Sequence, residues 1–353
     1  QVSVRLLGVL IGALAVLPTY GIGRRLGGDR AGAIAALLLA LNPFLIWYSQ
    51  EARMFMPATT FLLVGLYGIL HLVYPFPGGR HPQLDLKTPE QVRESVSRAG
   101  LLDLSRSFHP SGYRQAGPEV TFWLPPATLS ALLLILGFTA ALYSYLFSAF
   151  MLPVAGLWVL LLAWQGRNTP GNAHRSLVGL GSLAAVAILF LPLARNAWSI
   201  SGTESVPGRA FAGAAQALVP LLATYAVGWP RWIGSLGTAL VVAAALLALV
   251  GMLAPDRWLL ASGLDTRDGQ ATADRHVTSS PSIPRGGLFL AIWLGVPLLL
   301  GGLLLARDRT LFDESRYFIF LVPALCLAWG RGLAAAWGWH RAAGWAALVV
   351  ALM

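Results

Sequence analysis

Runs of about twenty apolar residues recur along nearly the whole chain, and this pattern limits the folds open to it more than any other feature. A bilayer core about 30 Å thick takes roughly 20 apolar residues per helical crossing, so each run has the length of one pass. Composition agrees: 56% of the 353 residues are hydrophobic, only 11% are charged, and the mean hydropathy is +0.66. A soluble domain carries about one quarter charged residues. The sequence therefore predicts an all-α polytopic transmembrane helix bundle forming a single domain over residues 1–353.

Spans are expected near 5–23, 31–50, 57–76, 124–143, 146–164, 176–194, 236–254, 286–306 and 316–334, with an unfinished one from 342. That makes nine complete passes and a partial one. The stretch 124–164 is too long for one crossing, and "YSYLFS" at 143–148 divides it into a tight hairpin. Gln1 and the apolar run ending at Met353 read as ends cut from a longer protein. The single cysteine, Cys326, excludes an intrachain disulfide and a cysteine metal site.

Arginine sets the expected orientation, because cytoplasmic loops retain Lys and Arg. Placing "GRRLGGDR" inside assigns 17 of the 25 basic residues to that face by alternation. They are Arg24, Arg25, Arg30, six in loop 77–123, Arg167, Arg175, Arg257, Arg267, Arg275, Arg285, Arg331 and Arg341. The net charge of +10 is then a matter of topology, with no nucleic-acid partner required. The histidines fall on the same side without ligand spacing, so no metal ligand is assigned.

Three longer connections remain. The cytoplasmic loop 77–123 contains "TPEQVRESVSRAGLLDL" (88–104), where Thr88, Pro89 and Gln91 make a capping-box start; an amphipathic helix on the inner surface competes with a solvated connection, which six basic against five acidic residues over 77–120 favour. The stretch 195–235 is an outer loop, and 255–285, rich in Asp, Thr, Ser, Gly and Pro, is a flexible cytoplasmic one.

Charge is scarce in this chain, yet "NPFLIWYSQEARMF" (42–55) gathers Asn42, Ser49, Gln50, Glu51 and Arg53 where a span should leave the lipid. Ionisable groups at such a depth read as functional by default. The competing account is an interfacial anchor, with Trp47 and Tyr48 in an aromatic belt and Glu51 paired to an arginine. Pro43 and Pro57 bracket an irregular turn, which lipid tolerates only where it faces protein or water.

The segment "RLLGVLIGALAVLPTYGIGRRLGGDRAGAIAALLLALNPFLIWYSQEARMF" (5–55) resembles bacterial C-type membrane glycosyltransferases similar to dolichyl-phosphate-mannose protein mannosyltransferases, the family 39 type. Their pattern there runs P-F-x-(I/V)-x-Y-S-Q-E-A-R-M-Y. "LYSYLFSAF" (142–150) and "ESRYFIFLVPALCLAWGRGL" (314–333) resemble a hairpin and a late helix of the same family, in the same order. Residues 77–120 and 195–285 match no part of it.

The resemblance implies transfer of a sugar, of hexosyl or mannosyl type, from a polyprenyl-phosphate donor to an acceptor hydroxyl of protein, lipid or glycan. The reaction would take place on the outer face of a bacterial plasma membrane. Glu51 becomes a carboxylate that orients the acceptor or a cation. Gln50, Arg53, Tyr48, Arg316 and Tyr317 become substrate-binding residues, with arginine forks suited to the donor phosphate. The principal catalytic aspartate is expected upstream of Arg5. Tyr145 stands where the family often has histidine. The cofactor stays open, a divalent cation being the one this chemistry would accept. A polytopic transporter or lipid flippase is the alternative, which predicts broken helices with midplane charges and two-fold internal similarity.

Overall fold

The computed structural model describes residues 2–51, 53–73, 126–165, 170–200, 224–225, 235–255, 285–307, 315–340 and 344. Every regular element among them is helical. Helix α1 (Val2–Leu14) continues through Ala15, itself in the right-handed helical region, into α2 (Val16–Leu41). Gly28 then interrupts α2 with φ 84° and ψ 176°. Only glycine occupies that region without strain, and the chain reverses there. The two arms lie face to face: a Cβ on Gly23 would stand 2.7 Å from the Gly32 Cα. Asp29 fastens the turn, accepting from Tyr20 Oη at 3.2 Å and pairing with Arg24 Nε at 2.7 Å.

Seven stretches of the described residues are long and apolar enough to cross a membrane, the first being the 37-residue Arg5–Leu41. The reversal at Gly28 makes that stretch two passes, and the shorter apolar helix Ala239–Leu253 adds one. Among the described residues seven stretches are long enough to cross, against the nine complete passes expected; counting the two arms and the shorter helix separately gives nine apolar helices. The tenth, from 342, lies outside the described residues except for Gly344. Loop 77–123 with the helix expected at 88–104, 256–284, and 201–223 and 226–234 of the expected outer loop also lie outside them.

After α3 (Pro43–Gln50) come α4 (Phe55–Val73) and α5 (Pro126–Ser144), which pack closely on each other. A Cβ on Gly68 would meet the Leu134 nitrogen at 2.8 Å, so bare backbone lets the two helices touch. Between lipid-solvated helices, such van der Waals contact is the main source of association. Tyr145, extended at φ −153°, turns the chain into a 3-10 segment (Leu146–Phe150) and α6 (Met151–Gln165). The break falls within the stretch 143–148 as expected, but α6 then packs against the helices Pro170–Ile200 and Arg285–Arg307 rather than back on α5.

Helices α7 (Pro170–Ile200), α8 (Ser235–Leu253) and α9 (Arg285–Arg307) follow. The last pass is the 3-10 segment Ser315–Leu321 continued by α10 (Val322–Trp339). It lies at the centre, with 94% of Tyr317–Trp339 buried against 17% of Ala173–Arg195. Its neighbours are α2 and α8, and Trp329 Nε1 donates to the Ala244 carbonyl of α8 at 2.8 Å.

Two expectations are corrected. Arg195 belongs to α7 rather than to the loop 195–235, because the helix continues through Pro192 as far as Ile200. Arg331, counted with the loop arginines, is fully buried within α10. Its Nε donates to the Gly251 carbonyl at 2.9 Å and its Nη2 to the Ala254 carbonyl at 3.0 Å. A helix ends with carbonyls that lack intrahelical partners and a partial negative charge, so an arginine there is met by the end of α8 instead of by water.

Candidate functional site

The bundle has two dissimilar ends. At one stand the Gly28 turn, the last turn of α4, the end of α8 and the start of α9. Arg25 lies 4.4 Å above the Tyr67 ring, His71 Nδ1 meets Ser130 Oγ at 2.9 Å, and Arg331 packs against Gly27 and Gly286. At the other end are Glu51, Arg53, the Tyr145 turn and the start of Ser315–Leu321.

Local chemistry builds the second end. Asn42 leaves the helical region at φ −65°, ψ 116° and caps α3, its Oδ1 accepting from the Leu45 N–H at 3.1 Å. Pro43 at the first helical position needs no hydrogen bond from its nitrogen. The break therefore falls at Asn42, one residue before the proline that signals it. Asn42 Nδ2 donates to the Tyr225 carbonyl at 2.9 Å, and the fully buried Tyr225 ring sits 5.0 Å from Phe44.

Helix α3 ends at Gln50, and Glu51 is its C-cap, extended at ψ 131°. The Arg53 N–H donates to the Glu51 carbonyl at 2.7 Å, a tight turn that sets both side chains on one side. Glu51 Oε2 then lies 3.6 Å from Arg53 Nε, the glutamate side chain 30% exposed and the arginine 53%. That oxygen is shielded from solvent and makes no hydrogen bond among the described residues. It is held by charge alone, beyond hydrogen-bonding distance.

From Glu51 a row of aromatic rings crosses the end of the bundle. Tyr48 is 5.3 Å from Phe55, Phe55 5.1 Å from Tyr145, Tyr145 5.4 Å from Phe147, and Phe147 5.2 Å from Tyr317. These are ordinary spacings for favourable ring contacts. The row links three segments far apart in sequence. Tyr48, Glu51, Arg53 and Tyr317 are thus at one end. Gln50 points outward, exposed, and the side chain of Arg316 lies outside what the structure describes. Sequence reasoning missed Phe55, Phe147 and Tyr225, for which only the aromatic content of their segments gave a sign. Among the described residues no group of three or more His, Cys, Asp or Glu side chains converges as metal ligands do.

No family model matches the sequence, and no curated protein matches it. Two crystal structures of the Archaeoglobus fulgidus oligosaccharyltransferase are similar to this chain. The complex with Zn and sulfate is 17% identical, with a TM-score of 0.40, over 99% of this chain and 39% of that one. The form tethered by a disulfide bond to an acceptor peptide containing the NVT sequon is 13% identical, with a TM-score of 0.39, over 95% and 38%. The chain spans about two fifths of the length of the oligosaccharyltransferase chains it matches.

Proposed function

We propose that the chain is an integral membrane glycosyltransferase that moves a sugar from a polyprenyl phosphate to an acceptor hydroxyl at the Glu51 end, on the outer face of the membrane. The observation that carries this reading is Glu51 Oε2, a shielded carboxylate oxygen beside a cation and without a hydrogen-bond donor among the described residues. Such an oxygen suits an incoming hydroxyl. The sequence resemblance around Tyr48–Arg53 supports the same chemistry.

In the reaction the acceptor oxygen bonds to the anomeric carbon as the bond from that carbon to the phosphate oxygen breaks. The acceptor proton passes to a carboxylate, and polyprenyl phosphate departs with the bonding pair. On this reading Glu51 orients the acceptor hydroxyl, while the family assigns the general base to the first outer loop. Arg53 holds Glu51 in place and offers its fork to the phosphate. Tyr48 and Tyr317 line the approach, with the exposed Gln50 at its rim and Arg316 at the start of the last pass. No step is routed through a cation.

The test is incubation of the full-length protein, including the segment upstream of Arg5, with a panel of polyprenyl-phosphate sugars and acceptors, reading products by mass. Glu51→Gln is expected to lower turnover on the order of a hundredfold, the range for a positioned acid or base. Arg53→Lys should chiefly raise the donor concentration required, since a point charge replaces a fork. Full activity in Glu51→Gln would return the turn to the role of interfacial anchor.

A further inference from the structure

A cavity of about 550 Å³ has its mouth at the Arg24 end of the bundle and runs toward Ile11 and Thr60, near the level of Ser49. Its volume is in the roughly 300–1,000 Å³ range of pockets that hold small ligands. One wall is a single face of the first arm, Ile11, Leu14, Leu17 and Gly21, ending at Arg24; the other is Thr60, Phe61, Val64 and Tyr67 of α4. From Ile11 to Arg24 the arm rises about 20 Å at 1.5 Å per residue. The cleft thus runs from the arginine turn past the midplane of a bilayer whose core is about 30 Å thick, a length suited to one acyl chain. It opens sideways, since Leu14 and Leu17 on its rim are 54% and 67% exposed.

The mouth is fixed on three sides. Tyr67 stands between Gly21, where a Cβ would come within 2.5 Å of the ring, and the Arg25 guanidinium above its face. Tyr20 and Arg24 are tied to Asp29. Within the segment Arg24–Arg30 three arginines and Asp29 give a local sequence charge of +2. Tyrosines and arginines at such a level are the groups that meet lipid headgroups. An apolar slot of this kind stays dry, so water is not its occupant.

We infer that this cleft is a binding site for one anionic glycerophospholipid, an acyl chain lying between the first arm and α4 and the phosphate beside the Arg24 turn. The chain fills an apolar space that the helices leave open, and the phosphate answers the excess positive charge. The site is independent of the proposed transferase activity, because it involves neither Glu51 nor the aromatic row.

The experiment exposes the purified, delipidated full chain to phosphatidylglycerol, phosphatidylcholine or inorganic phosphate, and counts bound mass by native mass spectrometry. One phosphatidylglycerol should survive activation that strips phosphatidylcholine, and inorganic phosphate should not displace it. Leu17→Trp at the exposed rim and Val64→Trp deeper in the slot should both abolish that retention. If Val64→Trp fails to fold, Leu17→Trp, on a lipid-facing surface, decides alone. Arg24→Gln should weaken retention about fivefold, the worth of roughly one basic residue at an anionic surface. Equal retention of phosphatidylcholine, displacement by inorganic phosphate, or unchanged retention in Leu17→Trp would overturn the assignment.

Discussion

Asn42 uses both halves of one amide at the base of the candidate site. Its oxygen caps α3 and its nitrogen holds the Tyr225 carbonyl, so the position of Glu51 and the seating of Thr224–Tyr225 depend on a single buried side chain. The two bonds can be separated. Asn42→Ser keeps a cap and loses the Tyr225 bond, a loss of about 1 kcal/mol. Asn42→Ala loses both and should cost about 2 kcal/mol. Thermal unfolding of the detergent-solubilised chain should therefore rank wild type above Ser and Ser above Ala. Equal melting of the two variants would remove the capping role.

At the scale of elements the Gly28 reversal is the most sharply determined feature. Gly28→Ala must place a Cβ in a region that is essentially glycine-only, at about 1–3 kcal/mol. We expect a lowered melting temperature with the helical circular dichroism retained at low temperature; an unchanged melt would show that the arms do not require this turn. This reversal was legible in "GRRLGGDR", because charge and paired glycines interrupt an apolar run. The Tyr145 break was legible in the same way. The polar turn after Tyr48 also showed itself through Pro43, Pro57 and the crowding of Gln50, Glu51 and Arg53. What the sequence hid were relations over distance. Arg331 finds its acceptor 80 residues away in α8, and a local window sees only an arginine near a helix end. The aromatic row joins Tyr48, Tyr145 and Tyr317 through packing that no periodicity reports. The far end of α7 was missed because apolar content fades before the backbone stops being helical.

For the whole molecule, the two ends of the bundle should be exposed to opposite sides of the membrane. The sole native thiol, Cys326, is fully buried, so cysteines introduced at Gln50 and Arg30, both exposed, can be read against a silent background. A membrane-impermeant maleimide added to intact cells should modify Gln50→Cys at once and Arg30→Cys only after permeabilisation. The reverse order would invert the orientation, and labelling of both from one side would refute the two-ended arrangement. The burial of Arg331 also bears on biogenesis. A guanidinium at the bilayer centre costs about 2.5–3.5 kcal/mol on translocon-insertion scales, and one buried nearer the membrane boundary, as Arg331 is, costs less but still needs acceptors. Here its partners are the last carbonyls of α8, made earlier in synthesis. Helix α10 thus has its arginine matched only when α8 is already in the membrane to receive it, which fixes an order of insertion. A chain deleted for α8 would leave α10 waiting at the translocon exit.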